Sequence, residues 1–297
     1  MTNNPNKVTF YESPPRISEW RRFWRVFLQR KLVIIGLMIL LILVITAIFA
    51  PWLASYDPYR GDPYDALAQP SAKHLLGTDI QGRDTLSRLI YGARMVFIVG
   101  FVTTGFAATV GVTLGIIAGY YKGITNMIIM RIMDALMGFP MIILALMLAA
   151  ILGGGIQNVI IALSVAMIPG YARILHGLTL SIKENDYILA QEAMGSSGRR
   201  IMFTHILPNS LPVMIVLITL QLGTLILAEA GLSFLGVGIK PPGAAWGAMV
   251  ADGYKYLTTN PVLSFAPGFA IMLVVFAFNL VGDGLRDALD PRLRGLL

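Results

Sequence analysis

The sequence has 297 residues, of which 56% are hydrophobic and only 13% are charged. A water-soluble domain needs a charged surface, so this composition favours a membrane protein. The formal net charge is +7, but lysine and arginine concentrate between apolar runs, which indicates membrane topology rather than a nucleic-acid-binding stripe. The absence of cysteine excludes disulfides, thiolate zinc sites and cysteine nucleophiles, and three scattered histidines do not suggest a metal site.

Six largely uncharged segments qualify as spans of a hydrocarbon core about 30 Å thick. They lie at about 32–50, 95–120, 126–152, 157–172, 211–235 and 262–282. If the N-terminus is inside, the inside segments hold 15 of the 23 lysines and arginines, the outside segments hold 7, and Arg131 lies in the third span. The positive-inside rule therefore predicts cytoplasmic termini and a cytoplasmic central loop. The predicted fold class is an all-α membrane protein with six transmembrane helices.

The spans divide the chain into five predicted parts. These are a cytoplasmic tail (1–31), a first transmembrane helix (32–53), an external loop (54–94), a membrane core (95–285) containing the central loop (174–208), and a cytoplasmic tail (286–297). A cleaved signal peptide would have an apolar core of only about 7–15 residues, so the first span is interpreted as uncleaved.

The polar central loop is predicted to contain a short helix with one apolar face. Its apolar residues recur at steps of three and four, which is the period of a helix: Tyr187, Ala190, Ala193 and Met194. Ser181 with Glu184 forms a candidate capping box, and Asn185 or Asp186 is an alternative cap. Gly195 suits the left-handed position just past the helix end.

A second short helix is predicted directly after this glycine. Ser196 or Ser197 can cap it, Arg199 and Arg200 lie on it, and Pro208 marks the start of the next membrane helix. A helix–turn–helix at a membrane surface must bury its apolar face against something.

Three charged residues lie within predicted spans. Arg131 and Asp134 share a helix face three residues apart, so we expect them to pair near the cytoplasmic end, with a cytoplasmic gate as the alternative. Glu229 is either a hydrogen-bonding partner of a neighbouring helix or the proton relay of a secondary transporter. Pro140 is either ordinary membrane-helix packing or a kink that lines a path.

Five stretches carry a resemblance to a known family. They are HLLGTDIQGRDTLSRLIYGAR (74–94), MRIMDALMGFP (130–140), YILAQEAMGSSGRRIMFTHILPN (187–209), LAEAGLSFLGVGIKPPGAAWGAMVADG (227–253) and FNLVGDGLRDALDPRLR (278–294). In this order and spacing they resemble the permease subunits of the dipeptide/oligopeptide/nickel class of ABC importers. The arrangement is similar to that of the second, C-type permease of the pair, which implies the type I permease fold.

The resemblance implies roles for specific residues. In the central loop it implies an ATPase-coupling helix in which Tyr187, Ala190, Ala193 and Met194 fill an ATPase groove and Gly195 permits close approach. Arg199 and Arg200 flank the groove or are a solvated or lipid-facing charge pair, and Pro208 matches the end of the family's coupling motif. The family's usual glutamate is replaced by Leu189, and Glu192 lies three residues too late to inherit its role. For a periplasmic rim where a binding protein docks, the implied residues are Gly77, Asp79, Gly82, Arg83, Asp84 and Arg88. A self-satisfied network that holds the loop's shape is the alternative.

The gate or translocation path is assigned to residues near the spans. These are Arg131, Asp134, Pro140, Glu229 and Trp246, the last packing a short external helix against the pore mouth.

The resemblance also implies partners in the cell membrane of a bacterium or archaeon. They are a second permease, one or two cytoplasmic ATPases and an external substrate-binding protein, with peptides as cargo. No G-x-x-x-x-G-K-[ST] loop is present, so we expect no catalytic residue, metal or cofactor in this chain, and ATP and magnesium on the ATPases. The alternatives are a proton-coupled secondary carrier that uses Glu229 and an inert membrane scaffold.

Overall fold

The computed structural model describes residues 19–289, so 1–18 and 290–297 of the two predicted tails lie outside the described residues. Within this range the protein is built from helices. In chain order they are α1 (Glu19–Gln29), α2 (Lys31–Ile48), α3 (Ala50–Leu53), α4 (Thr85–Tyr120), α5 (Ile124–Met137), α6 (Met141–Leu152), α7 (Ile156–Lys183), α8 (Asp186–Ala193), α9 (Gly198–Arg200), α10 (Leu207–Phe234), α11 (Trp246–Tyr254) and α12 (Val262–Leu289). A 3₁₀ turn covers Pro63–Asp65 and a π-helical turn covers Ile201–Ile206.

The described residues include five helices long and apolar enough to cross a membrane. They are α2, α4, α7, α12 and the continuous helix Gly198–Phe234, which runs from α9 through the π turn into α10. The helices α5 and α6 meet at a bend of 88° and make a sixth span if they are counted together. The all-α, six-span prediction is therefore confirmed, with the third span broken.

Four of the spans, α4, α7, Gly198–Phe234 and α12, extend beyond a predicted bound by about two turns or more. The helix α4 begins at Thr85 rather than at 95, and α7 continues through Lys183, so the central loop outside the long helices shrinks to 184–197. The predicted spans ended at charged or polar residues. A helix does not end there, because backbone hydrogen bonds propagate whatever the polarity of the side chains. At 36 residues, α4 is about 54 Å long and exceeds the bilayer core.

The alternating spans collect their ends at two faces of the molecule. We call the face with α1, α8 and the end of α12 the terminal face, where Arg30 pairs with Asp287 at 2.7 Å. The face with residues 54–84 and 235–261 is called the loop face. There the Gln69 side chain donates a hydrogen bond of 3.0 Å to the carbonyl of Thr259, which joins the two loop segments.

The helices α4 and α7 pack along a row of glycines on α4. A Cβ at Gly111 would lie 2.7 Å from the Cβ of Tyr171, and one at Gly119 would lie 2.6 Å from the Cβ of Thr179. Only glycine permits this approach, and close backbone packing is what associates helices in lipid, where the hydrophobic effect does not. The α4–α7 pair is therefore the rigid centre of the core.

Candidate functional site

The short helix predicted in the central loop is present as α8. Asn185 is its N-cap residue by position, although its side chain donates to the carbonyl of Ile182 at 2.9 Å instead of capping. The predicted capping box was wrong, because Ser181 lies inside α7 and Glu184 caps the C-terminus of α7. Gly195 has φ of +79°, as the left-handed prediction required.

One side of α8 is anchored and the other is bare. Ile188 is completely buried in the core of the bundle. Leu189 is exposed. So are the four apolar residues predicted from the helical period, which are Tyr187, Ala190, Ala193 and Met194. Met194 is 69% exposed. A large apolar surface that its own chain leaves uncovered marks a site of protein or membrane contact.

Glu192 points back toward the bundle. Its Oε1 lies 3.9 Å from Lys183 Nζ at the end of α7 and accepts a hydrogen bond of 3.4 Å from the Tyr120 hydroxyl at the end of α4. Lys183 Nζ also donates to the Tyr120 carbonyl at 3.0 Å and lies 4.4 Å from the centre of that ring. These three residues form a strut, which we call the α8 strut, between α8 and the rigid α4–α7 pair. Sequence reasoning missed the contact because it joins three distant segments.

The second short helix merges into the fifth span. The Ser197 hydroxyl accepts a hydrogen bond from the Arg200 amide at 3.5 Å, and a Cβ at Gly198 would lie 2.7 Å from the Tyr120 ring. Pro208 lies in the first turn of α10, as predicted, although α10 continues directly from the π turn rather than following a loop. Arg199 and Arg200 are exposed, and neither has an ion-pair partner among residues 19–289.

The predicted pairing of Arg131 with Asp134 was wrong. Asp134 forms its ion pair with Arg173 of α7, a residue that sequence reasoning placed outside the membrane because the predicted span ended at 172. Both partners remain about half exposed. Pro140 is the N-cap of α6 at the 88° bend, so of the two interpretations of Pro140 the structure has the kink.

Glu229 lies near the loop-face end of α10 and is buried. Its Oε1 accepts a hydrogen bond of 2.7 Å from the Ser233 hydroxyl. The hydroxyl oxygen of Ser233 in turn accepts a hydrogen bond of 3.3 Å from the Ile239 amide. The carboxylate thus helps to fix the chain that follows α10. The expected hydrogen bond to a neighbouring helix is not present among the described residues, because Ser233 lies one turn further along α10 itself.

The residues assigned to the external rim are buried in the loop face. Asp79 pairs with Arg83 at 2.7 Å, and Arg88 donates to the carbonyl of Pro58 at 3.1 Å. Asp84 caps α4 by accepting from the Ser87 amide at 2.8 Å, and it also contacts His74 Nδ1 at 2.9 Å. Gly77 and Gly82 both have positive φ. The geometry is that of the alternative interpretation, a network that holds the loop's shape.

Other side chains of the same loop are exposed to solvent. Tyr64 is 99% exposed, and Leu75 and Ile80 are also exposed apolar residues. Close by, Lys73 Nζ lies 2.5 Å from Asp65 Oδ2. The hydrogen bond from Lys73 lowers the pKa of Asp65, and the same bond raises the pKa of Lys73. An external partner would meet these residues rather than the buried ones.

The predicted short external helix is α11, which begins at Trp246. The indole is buried, and its Nε1 donates a hydrogen bond of 2.9 Å to the Leu89 carbonyl of α4. Val250 and Leu257 of this region line an apolar hollow of about 460 Å³ with Phe265 and Phe269 of α12.

Comparison with known proteins identifies the family. Residues 111–295 match the family described as binding-protein-dependent transport system inner membrane component, and residues 18–70 match the N-terminal TM domain of oligopeptide transport permease C. The chain belongs to this family. It is therefore a permease component of an ABC importer and a multi-pass protein of the inner membrane.

Individual relatives match nearly the whole permease. It is 43% identical to the dipeptide transport system permease protein DppC of Alkalihalophilus pseudofirmus over 294 residues, which cover 99% of this chain and 97% of that one. It is 42% identical to the glutathione transport system permease protein GsiD of Pectobacterium atrosepticum over 276 residues, covering 93% and 92%. The GsiD of Escherichia coli O6:K15:H31 is 42% identical over 277 residues, covering 93% and 91%.

Proposed function

We propose that this permease forms half of an ATP-driven translocation path for peptides and couples that path to a separate ATPase through α8. The observation that carries the proposal is the form of α8, in which Ile188 is buried while Leu189, Ala190, Ala193 and Met194 are exposed. Tyr187 is also partly exposed, although its hydroxyl accepts a hydrogen bond of 3.4 Å from Asn209 Nδ2. An ATPase groove that covers the bare side would push or pull on the bundle through the α8 strut.

The proposal assigns the terminal face to the cytoplasm and the loop face to the outside. The ATPases bind the terminal face, a second permease completes the path, and a substrate-binding protein docks on the loop face near Tyr64 and Leu75. Nucleotide binding favours one arrangement of the ATPase pair. The spans respond because the two states of the permease differ in their contacts with that pair.

The cargo class is proposed from the relatives. One is named for dipeptide and two for glutathione, which is itself a peptide. In this proposal the chain carries no catalytic residue and binds no cofactor. ATP and magnesium belong to the ATPase subunits.

The experiment is uptake of a labelled tripeptide, Ala-Ala-Ala, into vesicles. The complete complex, with both permeases, the ATPases and the binding protein, is expected to accumulate peptide only with ATP. This chain alone is expected to move none. Uptake by the chain alone that follows a proton gradient and is abolished by Glu229→Gln would establish a secondary carrier and contradict the proposal.

A further inference from the structure

Arg131 is a positive charge within a membrane-crossing element, and no residue from 19 to 289 pairs with it. It lies seven residues into α5, about 10 Å along the helix axis, and its side chain is exposed. The carboxylate nearest in sequence, Asp134, is occupied by Arg173. A charge at this depth needs water or an anion, because hydrocarbon cannot solvate it.

The broken backbone beside this surface indicates that it faces water or protein rather than lipid. Gly170 and Gly177, three and four residues from Arg173, have no described atom within 4 Å of their Cβ positions, so this chain leaves the surface around the ion pair uncovered. The backbone at 138–140 is bent by 88°. Irregular backbone at membrane depth is tolerated only where it lines a water-filled cavity or is buried in protein.

The charges on this surface do not balance. Arg131 and Arg173 bring two guanidinium groups and Asp134 brings one carboxylate, so one positive charge remains. A guanidinium group matches a carboxylate in geometry and binds it with two parallel hydrogen bonds. Every peptide with a free C-terminus carries such a carboxylate.

We propose that Arg131 binds a carboxylate group of the cargo during its passage, beside the Asp134–Arg173 pair and on the side of that pair away from the bend at Pro140. This inference rests on the proposed function and adds to it a recognised chemical group. The Asp134–Arg173 pair limits how tightly the carboxylate binds. With Arg173 neutralised, a single guanidinium holds the carboxylate, and a site on a path must bind weakly enough to release.

The test compares two peptides that differ only in the C-terminal carboxylate, Ala-Ala-Ala and its C-terminal amide. Initial uptake rates are measured with the complete complex in vesicles, at saturating peptide and binding protein. Four forms are compared: wild type, Arg131→Gln, Arg131→Lys and the control Lys122→Gln, which removes an exposed charge outside the spans. Each variant's rate is divided by the wild-type rate for the same peptide, so the selectivity of the binding protein cancels.

Arg131→Gln is expected to lower uptake of Ala-Ala-Ala about tenfold and to leave uptake of the amide nearly unchanged, because the amide has no carboxylate for Arg131 to bind. Arg131→Lys is expected to retain most of the rate, and Lys122→Gln all of it. Equal loss for the two peptides, or no loss, would overturn the inference. So would failure of Arg131→Gln to assemble with the second permease, because Arg131 would then pair with protein. If the wild type moves neither peptide, the peptide function itself fails first.

Discussion

The indole of Trp246 lies directly on the backbone of Gly92, and the two residues fix α11 to α4. The indole nitrogen donates to the Leu89 carbonyl, one turn before Gly92 on the same helix. A Cβ at position 92 would overlap that nitrogen. The short helix α11 is therefore held against the core by a contact that only glycine allows.

We predict that Gly92→Ala destabilises the purified permease. The added methyl group forces the indole away from Leu89, and overpacking of this kind costs about 1–3 kcal/mol. Gly105→Ala on the same helix is the control, because nothing lies within 4 Å of its Cβ position. Thermal unfolding in detergent measures both. Equal midpoint temperatures of unfolding for the two variants would show that the Trp246 contact does not hold α11 in place.

Gly195 is expected to act through its backbone and not through a lack of space. Its φ is +79°, yet nothing lies within 4 Å of its Cβ position in this chain. The left-handed conformation costs other residues about 1–2 kcal/mol, whereas asparagine tolerates it. We predict that Gly195→Val loses peptide uptake while still inserting in the membrane, and that Gly195→Asn retains more of it. Normal uptake by the valine variant would contradict this role.

The α8 strut gives a prediction about coupling. Glu192→Gln removes the charge that faces Lys183 and is expected to loosen α8, so that fewer peptides are moved for each ATP hydrolysed. Lys183 and Glu192 are partly exposed, and the stability cost is therefore expected to stay below about 1 kcal/mol. Glu184→Gln is the control, since this exposed glutamate has no ion-pair partner among the described residues. The same peptide-to-ATP ratio in both variants would rule out the strut.

The buried network of the loop face is expected to protect residues 54–84 from proteolysis. Asp84→Ala removes the cap of α4, which costs about 0.5–2 kcal/mol, and leaves His74 without its partner. We predict faster protease cleavage of this loop in the purified permease. Asp84→Asn retains an oxygen that accepts from Ser87 and is expected to be cleaved more slowly than the alanine variant. A loop that resists cleavage equally in all three proteins would exclude this role.

Local patterns predicted the helices well. The apolar runs located every span, the three- and four-residue steps from Tyr187 to Met194 located α8, and Gly195 marked its end. These features depend on neighbours in sequence, so a sequence alone can show them. The long helices were predicted to be shorter than they are, because the first polar side chain was taken as the end of a helix and the backbone hydrogen bonds continue past it.

Contacts between distant segments could not be predicted. Asp134 has Arg131 one turn away, but α7 brings Arg173 to it, and only the packing of α5 on α7 decides between them. Glu192 reaches Lys183 and Tyr120 in the same way. The residues assigned to the external rim were predicted to be exposed because charged loop residues usually are. Their burial depends on ion-pair partners that the sequence does not identify.

The most direct test of the account measures whether an ATPase covers the bare side of α8. The chain has no cysteine, so Met194→Cys introduces a single thiol, and Tyr64→Cys on the opposite face is the control. Maleimide labelling is timed in the complete complex and in the permease pair without ATPases. The account predicts that the ATPases slow labelling at 194 at least about tenfold and leave labelling at 64 unchanged. Equally fast labelling at 194 in both preparations would contradict it.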